Sequence, residues 1–471
     1  MSDVVIYSFM SFMALFLCIG LLSVRKRKKS PEDYLLASRD ISPMFAGISA
    51  AASTASGFGF IGFIGFGYAM GLSGVWFIFG IIAGSLLGFG YTARRFRILS
   101  QRNKCVSYTE FLSARVKGKT ALYPFVLGVL GIAALTLYAT AQFTSGSKAL
   151  HVLFGWDYRA GAMLGAFIVV IYCWAGGIRA SIWTDVAQMS VMYAAMFILM
   201  FVSLQEIGGL SGLYNGLLAI DPKLVQILPA QNPFGPLLFI AGCLSVGLSF
   251  LGFPHVMVRF MTLKTPRQTK QAIGWFELSY GSFYITAYIV ALCTRVLLPD
   301  VGTFDKELAL PTLASNMLPD ILVGVILAGI FAGTISTADS LILSSTASLS
   351  RDIFPGRKDS YSFMKLGTIG FTACALILSI SGNKNVFDLV MFAIALMGAG
   401  FAPLVFVQVM NWRLSQNVAL LMVVSGVGAS IAWRVMGYHV HVFDSLAGMF
   451  VALCVYSVAR MYGYGLSKTG K

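Results

Sequence analysis

A run of small and oxygen-bearing residues in the last third of the chain has the chemistry of a cation site. The run, residues 333–340 (GTISTADS), lies inside a long apolar stretch. One face of a helix built from it would carry Gly333, Ser336, Thr337 and Ser340. Asp339 lies on the flank of that face. Such oxygens are costly in hydrocarbon unless something binds them, so the run predicts an ion site. Alternatively, the hydroxyls bond to their own helix and Asp339 lies at a hydrated end.

A second acid, Asp185, falls within another apolar stretch, in the sequence WTDVAQ at residues 183–188. It begins a predicted span near the same side of the membrane as Asp339. Two neighbouring carboxylates need a cation or a proton between them, which predicts a sodium or proton relay. The alternative is that Asp185 caps the start of its helix.

Two apolar stretches are poor continuous helices. Nearly every residue from 46 to 59 is Ala, Gly, Ser or Thr, with Ile48 and Phe58 as exceptions. In the second stretch, residues 247–254 (GLSFLGFP), Gly252 and Pro254 frame a predicted break, because proline lacks the N–H donor and restricts the preceding residue. Plain helix packing through small residues is the alternative for either stretch.

The composition is that of an all-α polytopic membrane protein. The 471 residues are 57% hydrophobic and 11% charged, with a mean hydropathy of +0.80. We predict about thirteen membrane spans, whose end positions are given to within about four residues. They are 3–24, 42–68, 73–93, 120–146, 160–177, 184–204, 236–258, 272–297, 320–349, 362–381, 386–410, 417–435 and 443–459. The whole chain, 1–471, is predicted to be a single transmembrane domain that functions as a monomer.

The net charge of +15 is distributed as in a membrane protein, which argues against a nucleic-acid partner. With the N-terminus outside and the C-terminus inside, most basic residues fall on predicted cytoplasmic segments. These segments are 25–29, 94–119, 259–270, 351–365 and the C-terminal tail. The predicted outer loops carry acids instead, among them Glu206, Asp221, Asp300, Asp305 and Glu307. The seven cysteines and four histidines are dispersed, so we predict neither disulfides nor a transition-metal site.

The two breaks occupy matching positions. They fall in the first spans of two successive five-span blocks, 42–204 and 236–410, which must have opposite topologies because each has an odd number of spans. The remaining spans, 3–24 and the pair within 417–459, are peripheral. Interrupted helices at matching places in inverted repeats indicate the midplane site of a secondary transporter.

In these features the chain resembles the sodium:solute symporter family, and most closely its bacterial sodium/proline symporter branch. The resemblance covers nearly the whole chain and depends on five stretches in order. They are residues 34–39, 49–57, 183–185, 252–261 and 336–340. It implies two inverted five-helix repeats in an amino-acid-transporter-type fold, in the bacterial inner membrane, and sodium-coupled import of a small solute.

The resemblance also implies two cation sites. The main sodium site would use the backbone carbonyls of Ala52, Ala55 and Gly333 with the hydroxyls of Ser336 and Thr337. Some relatives hold a second sodium near the positions of Asp185, Ser336, Asp339 and Ser340. Those relatives have serine where Asp339 stands, so this chain carries an additional charge, which could tighten a second cation or accept a proton.

The implied solute site spans the two breaks, near Thr54, Ser56, Gly57, Tyr138, Gln142, Phe250 and Phe253. Proline transporters of the branch have aspartate at the position of Thr54, tryptophan at Val246, tyrosine at Phe250 and glutamine at Phe253. This chain differs from that pattern at all four positions. The predicted solute is therefore a broader class than proline alone: a small, partly apolar amino acid such as proline or a similar zwitterion, with its carboxylate on freed backbone N–H groups. Sugars, sialic acid, carboxylates and vitamins stay open as alternatives, although the fourth span lacks the central arginine of sialic acid transporters.

A membrane sensor and an intramembrane aspartyl protease are the two other classes of function. A membrane sensor would need a partner protein, because the tail from Met461 to Lys471 is too short for an output domain. An intramembrane aspartyl protease also needs two membrane aspartates, but Asp339 follows Ser-Thr-Ala rather than Gly-x-Gly. We therefore predict a transporter rather than an enzyme. Uptake into proteoliposomes tests this, because a transporter accumulates solute, whereas a sensor or a protease does not.

Overall fold

In the computed structural model, helices joined by short turns and loops account for most of the described residues, which are 3–24, 30–114, 116, 120–229, 232–299, 305–357, 360–382 and 384–463. Within those residues, eleven helices are long and apolar enough to cross a membrane. The predicted basic loop at 25–29, Asp300 and the tail beyond residue 463 lie outside the described residues.

Among the described residues up to Glu206, in the first half of the chain, there are eight α-helices. The helices are α1 (Asp3–Val24), α2 (Pro31–Leu36), α3 (Pro43–Ala55), α4 (Gly62–Met70), α5 (Val75–Arg102), α6 (Tyr108–Ala114), α7 (Leu122–Phe154) and α8 (Tyr158–Glu206). The predicted spans 160–177 and 184–204 both lie within α8, which turns sharply where Gly177 adopts φ 62°. A Cβ at Gly177 would lie 2.7 Å from the Tyr34 ring, so this turn requires glycine.

The second half repeats the pattern of a broken helix followed by long helices. Its helices are α9 (Gly209–Ile220), α10 (Gly235–Leu248), α11 (Pro254–Met261), α12 (Thr269–Leu297), α13 (Ala309–Met317), α14 (Asp320–Ser348), α15 (Tyr361–Ser381), α16 (Val386–Val409), α17 (Gln416–Val435) and α18 (Asp444–Met461).

Both predicted breaks are confirmed. Helix α3 ends at Ala55, because Ser56 adopts φ 54° and ψ 176°, and a short 3₁₀ turn leads into α4. Helix α10 gives way to a 3₁₀ turn that ends in extended Phe253, and Pro254 begins α11. Proline suits the first helical position, because the N–H that it lacks would have no partner within the helix.

Two arginines that the sequence analysis assigned to cytoplasmic loops are instead buried in helices. Helix α5 continues past the predicted end at residue 93, and Arg97 donates to the Leu263 carbonyl oxygen at 2.6 and 3.0 Å. Arg259 lies in α11 with 1% of its surface exposed. Hydropathy alone could not find them, since their burial depends on acceptors supplied by distant parts of the chain.

The break in α10 should be intolerant of a larger residue at Gly252. A Cβ there would lie 2.2 Å from the Met397 carbonyl oxygen of α16. We expect Gly252→Ala to destabilise the protein by roughly 1–3 kcal/mol through overpacking, measured as a lower melting temperature in detergent. The control is Gly274→Ala in α12, where an added Cβ meets no atom within 4 Å. Equal melting temperatures for both variants would contradict this account of the break.

Candidate functional site

The oxygen-bearing face of α14 packs against the end of α3 at its break. Ser336 Oγ donates to the carbonyl oxygen of Ala52 at 3.3 Å and to that of Gly333 at 3.1 Å. Thr337 Oγ1 donates to the Ser53 carbonyl oxygen at 3.0 Å. All of these residues are buried. The alternative of hydroxyls bonded only to their own helix therefore fails for the two predicted ligands, although Ser340 does donate to the Ser336 carbonyl oxygen.

The fifth predicted ligand, the Ala55 carbonyl oxygen, accepts a hydrogen bond from Tyr284 Oη of α12 at 3.0 Å. Sequence reasoning missed this tyrosine. Its signal was the i, i+4 spacing of Tyr280, Tyr284 and Tyr288, which places three hydroxyls on one face of an apolar helix. The structure thus brings together oxygen atoms from α3, α12 and α14 around the first break.

Asp185 lies in the interior of α8 and is fully buried. Its Oδ2 accepts hydrogen bonds from Ser49 Oγ at 2.6 Å and from the Arg259 guanidinium at 3.1 Å. Because these partners belong to other helices, Asp185 does not act as a helix cap here. Among the described residues, its Oδ1 has no hydrogen-bond partner.

Arg259 places a fixed positive charge beside Asp185. Its guanidinium also donates to the hydroxyls of Ser340, Ser49 (3.1 Å) and Ser181 (3.3 Å). It therefore lies between two of the residues predicted to share a second cation. Sequence reasoning missed this role, because the sequence does not show which distant residues face Arg259.

Asp339 does not lie on the face of α14 that carries Ser336 and Thr337. It is buried and lines a small cavity together with Gly20 of α1 and with Ser181 and Thr184 of α8. The two acids are near enough for their charges to interact, while Arg259 pairs with Asp185.

Polar groups of α7 hold the first break from the opposite side. Gln142 Oε1 accepts the Gly57 N–H at 3.0 Å, and Tyr138 Oη donates to the Thr54 carbonyl oxygen at 3.4 Å. Ser56 Oγ accepts the Phe58 N–H at 3.1 Å. The N–H groups of Gly57 and Phe58 at this break are thus bonded to side chains of the chain itself, whereas the sequence predicted freed backbone N–H groups for a solute carboxylate.

Aromatic rings from the second break lie on the other side of the predicted solute site. Phe250 and Phe253 lie 5.0 Å apart, and the Tyr138 ring lies 6.4 Å from that of Phe253. His255, which sequence reasoning missed, stacks on Phe253 with ring centroids 5.3 Å apart. It is fully buried, and neither ring nitrogen has a hydrogen-bond partner in the described part of the chain. The seven predicted solute residues therefore surround the two breaks, together with one polar ring without a partner.

An ionic cluster, with Lys148 and Glu307 buried and Asp305 exposed, lies toward the C-terminal end of α7. Lys148 Nζ contacts Asp305 Oδ2 at 2.6 Å and Glu307 Oε2 at 2.7 Å. Glu307 also accepts the N–H groups of Val386 and Phe387, where α16 begins. Nothing in the sequence pattern singles out this cluster, because its members are distant along the chain.

A cavity of about 330 Å³ lies beside the ionic cluster and is lined by Glu307, Phe66 and Phe387. The Phe66 and Phe387 rings are stacked 5.0 Å apart, and Phe58 of the first break lies 5.6 Å from Phe387. Aromatic rings thus separate this cavity from the residues around the breaks.

Proteins of known function share this sequence pattern. The chain is 26% identical over 442 residues to the high-affinity proline transporter PutP of Bacillus subtilis, covering 91% of this chain and 92% of that protein. It is 27% identical over 456 residues to a sodium/proline symporter of Staphylococcus aureus, covering 93% and 88%.

Solved structures share the fold. A Na⁺-coupled sialic acid symporter in a substrate-bound outward-open state matches with a TM-score of 0.81 at 19% identity, covering 98% of both chains. MhsT in complex with L-phenylalanine matches with a TM-score of 0.54 at 16% identity, covering 88% of this chain and 98% of that chain. The model of the sodium:solute symporter family matches residues 34–426, which is well over half of the sequence. The chain therefore belongs to the sodium:solute symporter family.

Proposed function

We propose that the protein is a sodium-coupled secondary active symporter that imports a small organic solute by alternating access. The observation that supports this most directly is the contact of the Ser336 and Thr337 hydroxyls with backbone carbonyls at the break in α3. Backbone oxygens freed by a break and hydroxyls from a neighbouring helix together form a hard-oxygen site for a small cation. As a member of a symporter family, the chain is a multi-pass membrane transporter and not an enzyme.

The proposed topology has about thirteen spans. In it, two inverted five-helix repeats occupy 42–204 and 236–410, the N-terminus is outside and the C-terminus is inside. Two features support the repeats: each begins with a broken helix, and the turn at Gly177 divides α8 into two segments as the predicted spans require.

The proposed main sodium ligands are the carbonyls of Ala52, Ala55 and Gly333 and the hydroxyls of Ser336 and Thr337. In the structure the two hydroxyls donate to backbone carbonyls, including that of Ala52. A cation at this place would turn the hydroxyl lone pairs and the carbonyl oxygens toward itself, so that one ion replaces several weak hydrogen bonds.

The proposed solute is an amino acid such as proline or a similar zwitterion. Its apolar part would contact Phe250 and Phe253, and its charged groups would meet the side chains of Gln142 and Tyr138. This proposal is supported by the residues around the two breaks, which place aromatic rings on one side and polar groups of α7 on the other. The unpartnered ring nitrogens of His255 could bind a solute carboxylate.

A second cation or a proton near Asp185, Asp339 and Ser340 stays a proposal that must include Arg259. The guanidinium already neutralises Asp185 and bonds to Ser340. A second sodium ion would have to displace it, whereas a proton on Asp339 would not. The arrangement therefore favours one sodium ion per solute, with Asp339 as the group that can add a proton.

The main sodium site predicts a matched set of variants. Ser336→Ala and Thr337→Ala should each weaken sodium binding by about 1–3 kcal/mol, because a buried polar contact is lost. The measurement is the sodium concentration for half-maximal uptake in proteoliposomes. Ser345→Ala, a buried serine further along α14, is the control and should behave as the unmodified protein. Unchanged half-saturation in both test variants would rule out the assignment.

Coupling predicts reciprocal binding. Sodium and solute should each raise the affinity for the other, since both order the same pair of broken helices and linkage is symmetric. Radiolabelled proline and related zwitterions can be titrated against the purified protein in sodium and in potassium buffers. For a solute that is taken up, equal affinities in the two buffers would contradict sodium coupling.

The two acids predict different defects. Asp339→Ser should leave uptake sodium-driven but remove any dependence on a proton, whereas Asp185→Asn should damage coupling more. Asp185→Asn also leaves Arg259 buried without a counter-charge, which costs roughly 3–5 kcal/mol. The double variant Asp185→Asn with Arg259→Gln therefore serves as the folding control. The measurement is charge moved per solute over a pH series, and identical curves for all variants would show that both acids are structural.

A further inference from the structure

Gln188 of α8 is a fully buried amide whose Oε1 and Nε2 both lack hydrogen-bond partners in the part of the chain that the structure describes. A buried polar group left unpaired costs about 1–3 kcal/mol. Asp185, one helical turn earlier on the same helix, has a third such atom in its Oδ1. Three unpartnered polar atoms within one turn point to a ligand that engages them.

The register between α3 and α8 places Gln188 at the level of Ala52. These two segments run in parallel, since the rings of Phe45 and Trp183 lie 5.9 Å apart and Ser49 bonds to Asp185. Each helix rises 1.5 Å per residue. Three residues beyond the Ser49–Asp185 contact, at Ala52 and Gln188, both helices are therefore about one turn further along. There Gln188 faces the carbonyl that we assign to the main sodium site.

The register between α8 and α14 gives the same level independently. The two helices are antiparallel: a Cβ built on Gly329 would lie 2.7 Å from Ala195, and one on Gly333 would lie 3.1 Å from Met192. Continuing this register brings Gln188 opposite Ser336 and Thr337.

The orientation of Gln188 follows from its neighbours on the helix. Asp185, Gln188 and Met192 follow i, i+3, i+7 spacing and therefore share one face. Asp185 contacts α3, and Met192 lies next to Gly333 of α14. The amide between them must point into the same interface.

We propose that Gln188 belongs to the sodium site: its side-chain oxygen is a ligand of the main sodium ion, and its amide nitrogen donates to Asp185 Oδ1. This inference rests on the proposed sodium-coupled function and adds a sixth oxygen to the five ligands assigned above. One ion then accounts for all three unpartnered atoms. It also connects the sodium ion, through a single amide, to the carboxylate that holds Arg259.

The test measures sodium binding without transport. The melting temperature of the purified protein in detergent is titrated with sodium chloride, with potassium chloride as the ionic-strength control and no solute. Gln188→Met keeps the length of the side chain but removes the oxygen, and we expect about a tenfold higher half-saturating sodium concentration, equivalent to about 1.4 kcal/mol. Gln408→Met, which alters a buried glutamine of α16, should leave the sodium titration unchanged.

Gln188→Glu separates a ligand from a packing residue. It retains an oxygen at the same reach, so sodium should still stabilise this variant, with a half-saturating concentration no more than about threefold above that of the unmodified protein. The inference is overturned if Gln188→Met binds sodium as the unmodified protein does, or if Gln188→Glu loses sodium stabilisation as completely as Ser336→Ala. Absence of sodium-specific stabilisation in the unmodified protein would instead refute the proposed function, and with it this inference.

Discussion

The structure depends on satisfying backbone groups that two broken helices leave open in a region without bulk water. An unpaired N–H or carbonyl in hydrocarbon costs several kcal/mol, so a break persists only where other groups bind it. The first break is held by Gln142 and Tyr138 of α7, Tyr284 of α12 and the hydroxyls of α14. These partners come from three neighbouring helices, so the break is held from several sides.

Electrostatics impose the second constraint. Asp185 and Arg259 are both buried, and such a pair is retained only when further hydrogen bonds satisfy the charged groups. Ser49, Ser181 and Ser340 supply those bonds from three helices. The pair therefore connects α8 and α11 to α3 and α14, beside the residues that we propose as sodium ligands.

The all-helical fold and the two breaks could be predicted from the sequence, because long apolar stretches and helix-breaking residues are local properties. The breaks near Ser56 and Phe253 and the face shared by Gly333 and Ser336 needed only composition and helical period. The interior roles of Arg259, Gln188 and His255 could not be predicted in this way. Each depends on which distant residues face it, and a basic residue near a span end looks the same whether it meets water or a buried carboxylate. The turn at Gly177 falls at a predicted span boundary, but its requirement for glycine depends on how closely Tyr34 approaches, which the sequence does not reveal.

The carboxylate of Glu307 binds two separate parts of the chain. Its Oε2 accepts hydrogen bonds from Lys148 Nζ and from the Val386 N–H at the start of α16, and its Oε1 accepts the Phe387 N–H. Loss of this carboxylate would remove a counter-charge from the buried Lys148 ammonium group and leave two N–H groups at the start of α16 without their acceptor. One side chain therefore fixes the start of α16 to the C-terminal part of α7, and a substitution at Glu307 would loosen both contacts together.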